Sequence, residues 1–336
     1  MRPLDRIRSI KTKMSIVIVA AVAVTAATST IGFRLGVPLL LGPIISASLA
    51  LAMVQFLAHG MTRPLRAMAN AAPSMARGDY SLRVHTTSVD EVGRLADAFN
   101  HMAAELAETD RQRRDLVANV SHELRTPISA LQATLENLVD GVAEPDPATF
   151  RAMHAQTERL GRLVHDLLDL SRLESGATQL RVERILLRDL LTRAIDESKL
   201  HHPGLGVAIE VDPEAIAFDG DPERLHQAIV NLLDNAVRYG GGDAFVRIEG
   251  RCRDRRLRVE ISDDGPGIPV AERARVFERF YRADHAPVTH RGGAGLGLAI
   301  VRSIVELHSG VIRAEGNQPQ GCRMVIELPS RQEHAA

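Results

Sequence analysis

The apolar pattern opens with two long uncharged runs, Met14–Phe33 and Leu35–Ala58. Either is long enough to cross about 30 Å of hydrocarbon as a helix. Only Arg34 and the breakers Gly36 and Pro38 separate them, which predicts a tight transmembrane helical hairpin. Arg2, Arg6, Arg8, Lys11 and Lys13 precede the first run, and Arg63 and Arg66 follow the second. The preference of basic residues for the inner side of a membrane places both ends in the cytoplasm. A cleaved signal peptide accounts less well for the first run, whose apolar stretch exceeds a signal core and is followed at once by a second span. With only a short turn facing outward, a stimulus is expected through the bilayer, a membrane partner or the cytoplasm.

From residue 60 to 110 the pattern turns amphipathic. Leu65, Met68 and Met75 mark one helix, and Leu95, Phe99, Met102 and Leu106 mark another. Gly78-Asp79-Tyr80 and Thr86-Thr87-Ser88 form a polar connector between them. Spacings near 3.5 with a single apolar seam predict a parallel α-helical coiled coil between two copies. A longer stripe follows, at Leu116, Val120, Leu124, Ile128, Leu131, Leu135 and Leu138, ending near Asp140-Gly141. After the break at Glu144-Pro145-Asp146-Pro147 comes another helix, with Phe150, Met153, Leu160, Leu163, Leu167 and Leu170 along one side. Two such helices cannot bury their stripes alone, whereas two copies make a dimeric four-helix bundle, so a homodimer is expected.

Beyond about residue 178 the period changes. Runs of period two at Ala244-Val246-Ile248, Leu257-Val259-Ile261 and Cys322-Met324-Ile326-Leu328 predict strands with one buried face. A helix from about Pro222 to Tyr239 points Leu225, Ile229, Leu232 and Ala236 inward. The prediction for this part is an α/β sandwich with helices on one face of a sheet.

Composition narrows the function classes. The chain has 336 residues, a net charge of -1, no Trp and 3% aromatic residues, so neither a basic footprint nor stacking platforms for nucleic acid are present. Its two cysteines, Cys252 and Cys322, lack metal-ligand spacing and are expected as free thiols.

The candidate chemistry begins at Val120-Ser121-His122-Glu123-Leu124-Arg125-Thr126-Pro127-Ile128. His122 lies two residues from both Val120 and Leu124, about 200° around the helix, and so faces away from the apolar stripe. An imidazole with an ordinary pKa near ~6.5 is mostly neutral at cytoplasmic pH and keeps a lone pair able to attack phosphorus. Glu123 is placed to hold the proton of the other ring nitrogen. Pro127 removes the helical partner of the Glu123 carbonyl, which predicts a bend. Further on, Asn231, Asp234, Asn235 and Arg238 make a polar helix edge. Amide oxygens suit Mg²⁺, and an arginine neutralises phosphate charge. Ser262-Asp263-Asp264-Gly265-Pro266-Gly267-Ile268 follows a strand, where a carboxylate accepts an adenine amino hydrogen and glycines let the backbone approach the base. Arg291-Gly292-Gly293-Ala294-Gly295-Leu296-Gly297-Leu298 precedes a helix from Ala299 to Leu307, presenting N–H groups to phosphates.

Together and in this order, the segments resemble those of membrane sensor histidine kinases of two-component systems. The resemblance covers residues 60 to 329: a HAMP linker with Pro64 opening its first helix and Asp90-Glu91-Val92-Gly93 opening its second, the H-box, and the N, G1 and G2 boxes shared with DNA gyrase, a heat-shock chaperone and mismatch-repair ATPases. Phe277-Glu278-Arg279-Phe280-Tyr281-Arg282 is similar to the F-box of the kinase branch. The resemblance implies that ATP phosphorylates His122 with help from Glu123, that an aspartate of a cognate response regulator receives the phosphoryl group, and that Thr126 positions a water in a reverse phosphatase reaction. It implies ATP binding by Asn231, Asn235, Arg238, Tyr239, Asp263, Gly265, Gly267, Ile268, Gly293, Gly295, Leu296 and Gly297. Asn235 and Asn231 are expected near Mg²⁺, and the segment from about Ile268 to Ala294 as a lid. Arg238 stands where lysine is commoner in the family.

The domain order so implied is a cytoplasmic N-terminus (1–13), two transmembrane helices (14–58), a HAMP-like linker (59–111), a dimerisation and histidine phosphotransfer domain (112–177), an ATP-binding catalytic domain (178–330) and a tail (331–336). The expected location is the inner membrane, multi-pass, with the catalytic domains in the cytoplasm and no nucleic-acid partner. One rival is an ATP-hydrolysing clamp of the same superfamily, in which a glutamate at the position of Asn231 activates water; an amide lacks that basicity. Another is a non-enzymatic membrane dimer keeping the ATP fold as a scaffold, against which the intact boxes argue.

Overall fold

The structure is a computed structural model and describes residues 9–34, 41–174, 179–240, 245–282, 294–318 and 320–329. The chain divides into two compact units, residues 1–118 and 119–336.

In the first unit, α1 (Ile10–Arg34) packs against α2 (Leu41–Ala76). Among the described residues, one helix is long and apolar enough to cross a membrane, over Ile10–Thr28 of α1. The outer faces of both helices carry exposed Ile18, Val19, Val22, Ile44, Ile45 and Leu51. Residues 41–76, which the sequence divides between the second predicted span and the first linker helix, form one continuous helix with Pro64 and Pro73 inside it. A proline deletes a single helical hydrogen bond, and the bonds flanking it carry the helix through.

The second linker helix continues likewise into the His122 helix as α3 (Glu91–Val139). Its start is fixed by a polar joint. Asp90 Oδ1 accepts from the Val92 and Gly93 N–H groups, capping α3, while Lys13 from α1 donates to Asp90 Oδ2 at 2.5 Å and to the Ser88 hydroxyl. Both charged side chains of that pair are buried. Burial pulls the Asp90 carboxyl upward, but the hydrogen bonds from Lys13, Ser88 and Gly93 outweigh it and hold the group below the usual carboxylate range. Glu91 in turn accepts from the Ile10 N–H at 2.8 Å, closing the first turn of α1. Gly93 is required, because a Cβ there would stand 1.9 Å from the Ser88 carbonyl oxygen. Inside the unit, Met68 and Val84 pack with Ala96 and Phe99, and the Asn100 amide pairs with both backbone groups of Val84. Leu95, Met102 and Leu106 of the predicted seam face outward instead.

The second unit holds the rest of α3, then α4 (Pro147–Glu174), β1 (Glu183–Leu186), α5 (Leu187–His201), β2 (Gly206–Asp212), β3 (Ala217–Gly220), α6 (Pro222–Gly240), β4 (Phe245–Arg253), β5 (Arg256–Ser262), α7 (Gly297–Leu307), β6 (Val311–Gly316) and β7 (Cys322–Pro329). β1 and β3 form a small antiparallel pair, and the main sheet has the order β2-β4-β5-β7-β6, parallel only between β2 and β4. Its register aligns Ile209, Ile248, Ile261, Met324 and Ala314 in one cross-strand row. With Val246, Leu257, Val259, Ile326 and Leu328 these residues make the inner face, covered by the apolar sides of α5, α6 and α7. The three predicted strands and the predicted helix are therefore present, although Ala244 lies outside the described residues.

Two helices also differ from the expected partners. Leu163, Leu170 and Leu173 of α4 belong to the core beneath the main sheet rather than to a free bundle face. α3 runs through Pro127 as one helix, with that proline buried.

Candidate functional site

A cavity of about 530 Å³ opens in the second unit between α6, the loop after β5, the start of α7 and the α3–α4 hairpin. Each wall has a sequence cause. α6 is strongly two-sided: Leu225, Ile229, Leu232 and Ala236 are buried, so Asn231, Asn235, Arg238 and Tyr239 fall on the opposite edge and line the cavity. Neither asparagine amide has a hydrogen-bond partner among the described residues. They sit one turn apart with Asp234 between them, a set of oxygens suited to a hard cation that completes its shell with phosphate and water. Among the described residues no cluster of three or more His, Cys, Asp or Glu forms a metal cage.

Asp263 leaves the end of β5 and is buried. Its Oδ1 accepts from the N–H groups of Gly265 at 3.0 Å and Cys322 at 3.1 Å, while its backbone N–H donates to the Cys322 carbonyl and its own carbonyl accepts from the Asn317 amide. Burial raises the carboxyl pKa, and the two N–H donors only partly offset this. The Cys322 thiol lines the same floor, and burial followed by the nearby Asp263 charge pushes it up to about 12, so it stays protonated. Gly321, at φ +123°, permits this anchorage: a Cβ there would meet the Asp263 carbonyl oxygen at 2.0 Å.

Gly267, Ile268, Gly295, Leu296 and Gly297 complete the wall formed by the loop after β5 and the start of α7. Gly265 lies behind Asp263 rather than on the cavity surface, and Gly293 is outside the described residues, as is most of the second half of the expected lid. From α3 the cavity takes Glu123 and Pro127 but neither His122 nor Thr126, which are exposed on the helix. The Thr126 hydroxyl donates to the His122 carbonyl at 3.3 Å. Glu123 meets Arg159 at 3.9 Å and Arg282 at 4.0 Å. The sequence reading did not anticipate Arg159, Arg162, Asp166, Arg282 or Cys322 in the site. Arg159, Leu163 and Asp166 do recur at helical spacing on α4, a signal for one shared edge though not for what it faces. Burial, ahead of the charges around it, raises the Asp166 carboxyl.

Comparison with known proteins agrees with this geometry. Residues 220–332 match the histidine kinase-, DNA gyrase B- and HSP90-like ATPase family, residues 112–176 the His Kinase A (phospho-acceptor) domain and residues 56–108 the HAMP domain. The chain is 36% identical over 285 residues to the signal transduction histidine-protein kinase BaeS of Escherichia coli, covering 84% of this chain and 61% of BaeS. It is 35% identical over 314 residues to the histidine-protein kinase/phosphatase MprB of Mycolicibacterium smegmatis, covering 89% of this chain and 62% of MprB. The chain thus spans about three fifths of the length of these two relatives. Among solved structures, Acinetobacter baumannii histidine kinase AdeS aligns at TM-score 0.53 with 29% identity, over 63% of this chain and 98% of that one. Histidine kinase ThkA in complex with response regulator protein TrrA shares the fold at TM-score 0.54 and 23% identity, over 68% of this chain and 66% of that one. The chain belongs to the sensor histidine kinases of two-component systems, with HAMP, phospho-acceptor and ATPase domains in that order.

Proposed function

We propose that this chain is a membrane-embedded protein-histidine kinase in which ATP phosphorylates His122 and the phosphoryl group then passes to an aspartate of a cognate response regulator. One observation carries the reading: the cavity walled by Asn231, Asn235, Asp263 and the α7 glycines also takes in Glu123, the neighbour of the exposed His122. In the reaction a ring nitrogen of His122 bonds to the γ-phosphorus as the bond from that phosphorus to the β,γ-bridging oxygen breaks, and ADP departs. Catalysis is chiefly positioning and charge neutralisation. Asp263 accepts from the adenine amino group, Tyr239 packs on the base, and Arg238 with the N–H groups of Gly295, Leu296 and Gly297 faces the phosphates. Asn231 and Asn235 fit Mg²⁺, which when bound neutralises triphosphate charge. Glu123 fixes the imidazole tautomer and stabilises the cation that forms. His122 has to reach the phosphorus, so turnover includes a rearrangement of the α3–α4 hairpin against the ATP-binding domain. Thr126 then positions water in the reverse, phosphatase direction.

The working form is a homodimer. Val117, Ile128 and Leu135 of α3 and Phe150, Val164 and Leu168 of α4 are exposed in the single chain and supply the apolar face of a four-helix bundle. Leu95, Met102 and Leu106 extend the same pairing into the linker. The domain limits are those predicted above, 14–58 for the membrane hairpin, 59–111, 112–177 and 178–330. The inner membrane holds α1 and the first part of α2, with the catalytic domains cytoplasmic, where ATP is. The test is incubation of the full chain with γ-labelled ATP and Mg²⁺. Acid-labile label on the wild type and none on His122→Gln is the expected result. Label on another side chain, or phosphate release that survives the substitution, overturns it.

A further inference from the structure

Among the described residues, four arginines and four carboxylates line the cavity, so it carries no net positive charge to receive a polyphosphate. Two of the four guanidiniums, Arg159 and Arg162, come from α4 of the phosphotransfer hairpin and not from the ATP-binding domain. Arg159 is placed there by strong neighbours. One helical step and more along α4, Asp169 accepts from Gln227 of α6 at 2.9 Å and pairs with Arg224, Glu174 pairs with Arg279 at 2.5 Å, and Leu163 and Leu170 are buried in the core. Arg159's own pairing is weak by comparison. Its 3.9 Å approach to Glu123 lies at the edge of ion-pair range, both side chains are partly exposed, and Glu123 is shared with Arg282. Such a pair contributes at most about 1 kcal/mol, whereas a charge-assisted bond to phosphate is stronger.

We propose that Arg159 is a phosphate-binding residue that the phosphotransfer hairpin contributes to the nucleotide site, exchanging Glu123 for the terminal phosphate of ATP. The exchange has a second consequence, which rests on the kinase reading: it releases Glu123 to the imidazole of His122 only when a γ-phosphate is present. ADP, one phosphate shorter, leaves the Arg159–Glu123 pair in place. Arg159 is thereby the element that distinguishes the two nucleotides and couples that distinction to the nucleophile.

The experiment is displacement of a fluorescent nucleotide by ATP and by ADP, with Mg²⁺, on the full chain in detergent. Arg159→Gln is expected to weaken ATP about tenfold and ADP less than twofold. Arg159→Lys, which keeps a point charge, retains most of the preference. Glu123→Gln, by freeing the guanidinium, tightens ATP severalfold, and the gain disappears in the double substitution. Equal loss of ATP and ADP in Arg159→Gln marks a purely structural residue and overturns the proposal, as does no loss of either or an unaltered Glu123→Gln. Because these readouts are affinities, they are distinct from failure of the kinase reading, which shows as a wild type that takes no label on His122.

Discussion

Substituting Gly295 by alanine tests whether the turn before α7 shapes the phosphate cradle. Gly295 has φ +72°, and a Cβ there would stand 2.8 Å from the Tyr281 carbonyl oxygen and 2.9 Å from the Phe280 backbone carbons. Those atoms cannot swing aside as a side chain does. Phe280 is itself left-handed at φ +59°, and its N–H donates to the Gly295 carbonyl at 2.9 Å, so the two residues fix each other. A left-handed non-glycine residue costs about 1–2 kcal/mol. Displacing the contact and losing the hydrogen bond adds about 1–2 kcal/mol more. The free variant relieves this strain by moving the turn, so that re-forming it around ATP costs about 2–4 kcal/mol, a fall in affinity of about 30-fold to several-hundred-fold. Gly297→Ala is the internal control, because its Cβ would meet only the Asn231 Cγ, at an ordinary 3.9 Å. Alanine also suits the first turn of a helix, so that variant should bind within about threefold of wild type. Fluorescent-nucleotide displacement, with a thermal melt to confirm folding, reads both. Gly295→Ala binding as well as wild type, or Gly297→Ala losing as much, refutes the reasoning.

Asp263→Asn keeps an oxygen to accept from the Gly265 and Cys322 N–H groups but removes a charge that burial disfavours. A carboxyl whose folded pKa is raised favours the fold below its ordinary value near ~3.9, and that contribution is lost as pH rises through the folded pKa. The nucleotide-free variant should therefore melt at or above the wild-type temperature at pH 7, with the difference shrinking toward pH 4, while ATP binds at least about tenfold more weakly. A less stable variant at pH 7 or unaltered binding contradicts this. Lys13→Met strands the buried Asp90 carboxylate at the α1–α3 joint, which is expected to cost about 3 kcal/mol in the linker unit. Asp90→Asn added to it restores most of the loss, since asparagine still caps α3. Protease sensitivity of the linker in detergent measures both, and equal sensitivity of the single and double variants rules out the ion-pair account.

Period and spacing carried the elements whose burial is one-sided. The β4 and β5 strands alternate because one face of the sheet meets helices, β7 does so except at the buried Val325, and α6 was legible because its apolar and polar edges are both sharp. The glycine loops were legible for a different reason, since few residue types satisfy the backbone geometry of Gly267 and Gly295. The four-residue pair β1–β3 escaped because its strands are too short to show a period and their partners lie more than thirty residues apart.

A helical stripe reports that a face is buried but not against what, and both amphipathic segments show the consequence. On α4, Leu163 and Leu170 join the core of the second unit while Phe150, on another side of the helix, stays exposed. On α3, Ala96 and Ala103 face inward while Leu95, Met102 and Leu106 face out. The small residues are buried within the unit and the large ones stay exposed.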